Sequence, residues 1–109
     1  MQAAANSTAQ RLSTLARLYQ QGQTSQLMDR TLQKLLAHEA EQVHSQLASL
    51  QTDLVEFERQ YGLDSSAFLH RYQAGQTDDR MDFVEWASLM HMRDNLLRRL
   101  QLLTGENAT

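Results

Sequence analysis

TSQLMDRTLQKLLAHEAEQVHSQLASLQTDLVEFERQY, residues 24–61, decides the fold. It contains no proline and no glycine, and its apolar residues recur at helical intervals: Met28, Leu32, Leu36, Ala40, Val43, Leu47, Leu50, Leu54, Phe57 and Tyr61. From Leu36 onward the steps alternate between four and three. That is the heptad spacing of a helix that lays one seam against another helix. Before Leu36 the steps are all four, a local stutter in the register. Gln33 and Asp29 stand where the later seam would run if extended back, so Leu35 is expected to help fill it. A helix over 24–61 would be on the order of 57 Å long at about 1.5 Å per residue.

The rest of the chain is punctuated by four glycines, Gly22, Gly62, Gly75 and Gly105. Residues 10–21 carry Leu12, Leu15, Ala16, Leu18 and Tyr19 and read as a short amphipathic helix stopped by Gly22. Thr24 or Ser25 is placed to cap the long helix, and Gly62 to end it in the left-handed conformation. A third helix is expected over 64–74, with Asp64 as N-cap and Leu63 and Phe68 as a hydrophobic staple. A fourth is expected over 82–104. Its start resembles a capping box, with Asp82 as cap, Glu85 as its partner, and Met81 and Trp86 as the staple. The predicted fold is therefore all-α. A long antiparallel, coiled-coil-like hairpin carries a short helix at its turn and a short N-terminal helix, in one domain spanning 1–109.

On the fourth helix Phe83, Trp86, Leu89, Met90, Met92, Leu96, Leu97, Leu100 and Leu103 cover about half the circumference at 100° per residue. A two-helix seam is narrower. This helix is also roughly 33 Å long, too short to cover the whole of the long one. Two surfaces therefore call for a partner: Met28, Leu32 and Leu35 on the long helix, and Leu89, Met92, Arg93, Leu96 and Leu103 on the last. A homodimer in which two hairpins build a helix bundle meets both demands; the alternative is a monomer in which the first helix closes over Met28, Leu32 and Leu35. Arg93, a lone charge on the wide apolar face, is expected to form an ion pair, with Asp53 across the hairpin or within a dimer, rather than to be reserved for a foreign partner.

Composition narrows the function classes. The chain has 109 residues, a net charge of −3 and no cysteine. It therefore has no disulfide framework and no thiolate metal site, which suits a reducing cytosol. No apolar run approaches the ~18 residues of a membrane span. Residues 1–10 lack the basic start and apolar core of a signal peptide. A cytoplasmic location is expected, and an acidic balance disfavours nucleic acid as a partner.

Chemistry-bearing motifs are few. Glu41 and His44 have the E-x-x-H spacing of di-iron bundles, but such sites need two units and two more inward glutamates. Both side chains also point away from the Val43–Leu47–Leu50 stripe. His38, His70 and His91 have no partner at ligand spacing. Asp78, Asp79, Asp82 and Glu85 lack the alternation and central glycine of a calcium loop and suit the positive end of a helix dipole. Trp86, Tyr61, Phe57, Phe68 and Tyr72 are expected to form a small satellite core over the hairpin turn. There is no catalytic triad, phosphate loop or zinc motif to place. No metal, cofactor or enzymatic activity is expected.

Two blocks carry a resemblance. Leu15-Ala-Arg-Leu-Tyr-Gln-Gln-Gly is followed by Asp29-Arg-Thr-Leu-Gln-Lys-Leu-Leu-Ala-His-Glu. Phe57-Glu-Arg-Gln-Tyr-Gly-Leu-Asp-Ser-Ser-Ala-Phe is followed by Gly75, Asp78-Asp79 and Asp82-Phe-Val-Glu-Trp. Together they resemble small helical proteins of bacteria, notably cyanobacteria, and archaea that are encoded beside toxins of the TumE type. The resemblance implies an antitoxin-like protein that neutralises its toxin by direct helical contact. The competing expectations are a homodimeric scaffold with no toxin partner and, more remotely, a DNA-binding autoregulator. For the last, Asp82 and Glu85 stand at the front of the would-be recognition helix, where phosphates repel them.

Overall fold

The computed structural model describes residues 2–105, which form four helices: α1 (Gln2–Gln20), α2 (Gln26–Tyr61), α3 (Ser65–Gln73) and α4 (Met81–Thr104). Among the described residues there is no strand. The all-α expectation and the hairpin of α2 with α4 both hold. All four glycines sit at positive φ, between 62° and 75°, each beyond the end of a helix. Gly62 shows why glycine is used there: at φ 62° a side chain would be strained. In that conformation the N–H groups of Gly62 and Leu63 both reach back to the Glu58 carbonyl, at 2.8 and 3.3 Å.

Two compact units divide the chain between Leu35 and Leu36. The first holds α1 and the opening turns of α2. Here α1 begins earlier than the expected residue 10, because Ala3, Ala4, Ala5 and Ala9 are strong helix formers with no breaker among them. Ser25 is the residue that caps α2, its Oγ accepting from the Met28 N–H at 3.2 Å. The Tyr19 hydroxyl donates to Asp29 at 2.7 Å, tying the two helices of this unit together. Leu15, Leu18, Met28 and Leu32 are half-buried, whereas Leu12, Leu27 and Leu35 are exposed.

The second unit contains the core. Leu50, Leu54, Phe68, Trp86, Ala87 and Met90 are buried together, with Phe57, Tyr61, Leu63, Phe83 and Leu89 packed around them. The expected satellite cluster at the hairpin turn is thus the main core itself. Its centre is a ring stack. Trp86 lies on Phe68 with centroids 3.9 Å apart and planes nearly parallel, and on Phe57 at 5.5 Å. Tyr61 stacks on Trp86 at 5.8 Å and meets Phe83 edge-on at 5.1 Å. Aromatic side chains remove the most surface per residue, so a turn built from five of them concentrates the stabilisation at one end.

The polar atoms of this turn are matched. Trp86 Nε1 donates to Ser65 Oγ at 2.9 Å, which explains a buried serine. The Ser65 N–H, one of the orphan donors of a helix start, donates to the Glu58 carboxylate at 2.9 Å. Asp64 caps α3 as expected, accepting from the Ser66 N–H at 3.1 Å. Replacing Ser65 with alanine leaves the indole N–H buried without an acceptor. The expected cost is about 1–3 kcal/mol, read as a lowered urea midpoint with an unchanged m-value.

The start of α4 differs from expectation. The helix begins at Met81, not Asp82, and its N-cap is Arg80, which makes no side-chain capping bond. Asp82 is unavailable as a cap because it accepts the Tyr61 hydroxyl, a bond between the two arms of the hairpin. Arg80 is held by two guanidinium bonds to Asp78, at 2.9 and 2.7 Å, and lies 4.7 Å over the Phe83 ring. Met81 is 75% exposed while Trp86 is wholly buried, so the proposed staple between them is not made.

The Tyr61–Asp82 bond gives a pH prediction. Donation to the Asp82 carboxylate raises the Tyr61 hydroxyl above its ordinary value of 10.0. A raised phenol contributes stability that is complete below its unfolded pKa and lost as pH rises through its folded one. Tyr19 is raised likewise by Asp29. Stability should therefore fall as pH rises above about 10. In Tyr61→Phe the fall should be smaller, with the remainder due to Tyr19; an unaltered alkaline profile in this variant would contradict the assignment.

Candidate interaction surface

The apolar face of α4 is wider than the face of α2 that covers it, and two open pockets result. One is a groove of about 400 Å³ between α2 and α4, lined by Gln46, Ser49, Leu50, Asp53, Leu89, Met92, Asn95 and Leu96. The other, of about 420 Å³, lies beside α4 at the end of α3, among Leu69, Gln73, Met90, His91, Arg93, Asp94 and Leu97. The reason is length. Helix α3 is nine residues long and covers only the first turns of the 24-residue α4.

The structure brings together some of the anticipated residues and separates others. Leu89, Met92 and Leu96 share the groove, and Met92 is 52% exposed at its centre. Leu103 is half-buried further along α4. Arg93 faces the other pocket, away from Met92. Met28, Leu32 and Leu35 belong to the first unit; the first two are half-buried and Leu35 is open to solvent. Val43 is buried, whereas Leu36 is nearly half exposed despite its seam position.

The expected Arg93–Asp53 ion pair is not formed. Tyr61 stands level with Asp82, and Arg99 with Glu39, where they form an ion pair at 3.0 Å. Interpolating between these levels places Asp53 opposite residues near Ser88, more than a turn short of Arg93. Arg93 also points to the side of α4 opposite the groove that Asp53 lines. Among the described residues neither has an ion-pair partner. The Arg99–Glu39 pair is one of the contacts that no local sequence pattern marks. Only the hairpin register reveals it.

The remaining candidates do not converge on chemistry. Glu41, His44, His38, His70 and His91 are all exposed. Among the described residues no three His, Asp or Glu side chains are placed to hold a metal ion. None of the helices is long and apolar enough to cross a membrane, again among the described residues. The acidic cluster is partly spent within the fold, since Asp78 binds Arg80 and Asp82 binds Tyr61. Arg80 holds the Asp78 carboxyl down at about 2. Comparison with protein-family models, with curated proteins and with solved structures finds no match.

Proposed function

We propose that this chain is a helical protein–protein interaction module, and that it acts as an antitoxin-like partner of an adjacently encoded toxin, neutralising it by direct contact. The antitoxin role follows from the resemblance. The interaction role is supported by one observation: α4 carries more apolar surface than its own hairpin covers, with Leu97 40% and Met92 52% exposed on different sides of the helix. Apolar residues left open along a helix suit docking against a partner helix. The side beyond α3 suits a foreign chain. There Arg93 is half-buried among Leu69, Met90 and Leu97 and makes no ion pair, the Asp94 carboxylate on the same pocket wall being paired with Arg98, so an acidic side chain on a partner helix would complete it.

Co-expression with the neighbouring gene product tests this reading. The expected result is a complex that co-elutes in gel filtration and restores growth to cells making the neighbour alone. Persistent toxicity in the presence of soluble chain refutes it. Within such a complex, Arg93→Glu should weaken binding by at least about tenfold and leave the helical circular dichroism unchanged. The second reading is a homodimeric scaffold, favoured by the arrangement of charges along α4.

A further inference from the structure

The groove between α2 and α4 lies on a stripe of α4 that reads Glu85, Leu89, Met92, Leu96, Arg99, Leu103, with steps of 4-3-4-3-4. This heptad stripe borders the face buried in the hairpin, Leu89 and Leu96 also packing against the core and Met92 standing free of it. Its charges are placed symmetrically. Met92 stands at the middle of α4, with Glu85 seven residues before it and Arg99 seven residues after, about 10.5 Å each way. Leu89 and Leu96 straddle it at three and four residues.

A surface with an acid at one end, a base at the other and an apolar middle complements itself when rotated by half a turn. We propose that a second copy of this chain docks on this groove, with the two α4 helices antiparallel across a two-fold axis beside Met92. The two Met92 side chains meet at the axis, each Leu89 lies near Leu96 of the second copy, and Glu85–Arg99 pairs form twice. Glu85 is exposed and has no ion-pair partner among the described residues. Arg99 makes one bond to Glu39, and a guanidinium has five donors, so both carboxylates can be served. Gln46, Ser49 and Asn95 on the groove walls are uncharged and supply a hydrogen-bonding rim, and Asp53 is the one charge on those walls.

Size is consistent with a stable pair. A face about 36 Å long and two helices, roughly 18 Å, wide presents on the order of 650 Å² per copy. The total, near 1,300 Å², falls at the lower end of the range for specific interfaces. A foreign helix would have no reason to meet an acid and a base equidistant from one methionine. The inference stands apart from any antitoxin role, and its test needs no toxin.

The full chain should sediment as a dimer at micromolar concentration, and Met92→Glu should raise the dimer dissociation constant at least about tenfold. Glu85→Arg and Arg99→Glu should each weaken the dimer. An equimolar mixture of these two variants should recover it, because their heterodimer holds one restored pair and one inverted pair. Loss of the Arg99–Glu39 contact cannot produce that recovery. The chain has no cysteine, so Met92→Cys should cross-link to twice the chain mass under mild oxidation. Val55→Cys, 48% exposed on the outer side of α2, should not. A monomer at high micromolar concentration, or equal cross-linking at the two positions, overturns the proposal. The cysteine comparison holds even if a charged variant fails to fold.

Discussion

Trp86→Ala is expected to remove most of the stability of the chain. The indole is wholly buried and lies against Phe68, Phe57, Tyr61 and Phe83. A tryptophan buries on the order of 200 Å², which at ~25 cal/mol per Å² corresponds to about 5 kcal/mol as an upper bound. Measured large-to-small changes of this kind cost about 3–5 kcal/mol. Small domains are stable by only about 5–15 kcal/mol, and one of 109 residues with six residues in its main buried cluster belongs near the bottom of that range. The variant should therefore be substantially unfolded at 37 °C, with reduced helical circular dichroism and no sharp thermal transition. Phe68→Ala tests the same stack from the other side. Trp86 is the only tryptophan, so its fluorescence reports the stack directly and should shift to longer wavelength in that variant. Trp86→Phe separates packing from hydrogen bonding. It keeps a ring against Phe68 and gives up the bond to Ser65, so its loss should be about 1–2 kcal/mol. A cooperative transition at the wild-type temperature in Trp86→Ala would mean that the turn is not the stabilising centre.

The helices and their ends were legible because each depends on local chemistry. Glycine at a helix C-terminus relieves a steric conflict within one residue, and Gly22, Gly62, Gly75 and Gly105 mark their helix ends on that ground alone. Asp64 capped α3 for the same reason. Asp82 failed as a cap because a competitor lay 21 residues away: the Tyr61 hydroxyl claims its carboxylate. The capping box is a local pattern, and it cannot register a donor brought in by tertiary structure. Glu58 was unforeseen on similar grounds, since its carboxylate reaches over the turn to the start of α3. On α4, helical angle places Leu89, Met92 and Leu96 along one groove, whereas Arg93 is only 100° from Met92 and faces elsewhere. The Asp53–Arg93 expectation failed in height, because the register of a hairpin depends on the length and conformation of its turn. Here that turn contains a whole helix, α3.

The heptad leucines of α2 offer the sharpest test of how periodicity differs from burial. Leu36 and Leu54 both occupy seam positions of the heptad, one of each alternating kind, and nothing in their spacing ranks them. In the structure Leu54 is 1% exposed within the aromatic core, whereas Leu36 is 46% exposed. The seam gives the direction in which a side chain points, but stabilisation depends on what stands opposite. Leu54 has Trp86 and Phe68 in its cluster; Leu36 lies at the far end of the second unit from the turn. Leu54→Ala should therefore cost about 2–5 kcal/mol, with the upper part of the range if the rings cannot close the cavity. Leu36→Ala should cost less than about 1 kcal/mol, partly offset by the higher helix propensity of alanine. Urea unfolding followed by Trp86 fluorescence and by circular dichroism gives both values on one scale. If α2 acted as a uniform coiled coil, the two losses would be equal. Equal losses at low protein concentration would contradict a core concentrated at the turn. If the Leu36→Ala loss instead grows with protein concentration, Leu36 is covered by another chain, since only association makes apparent stability depend on concentration.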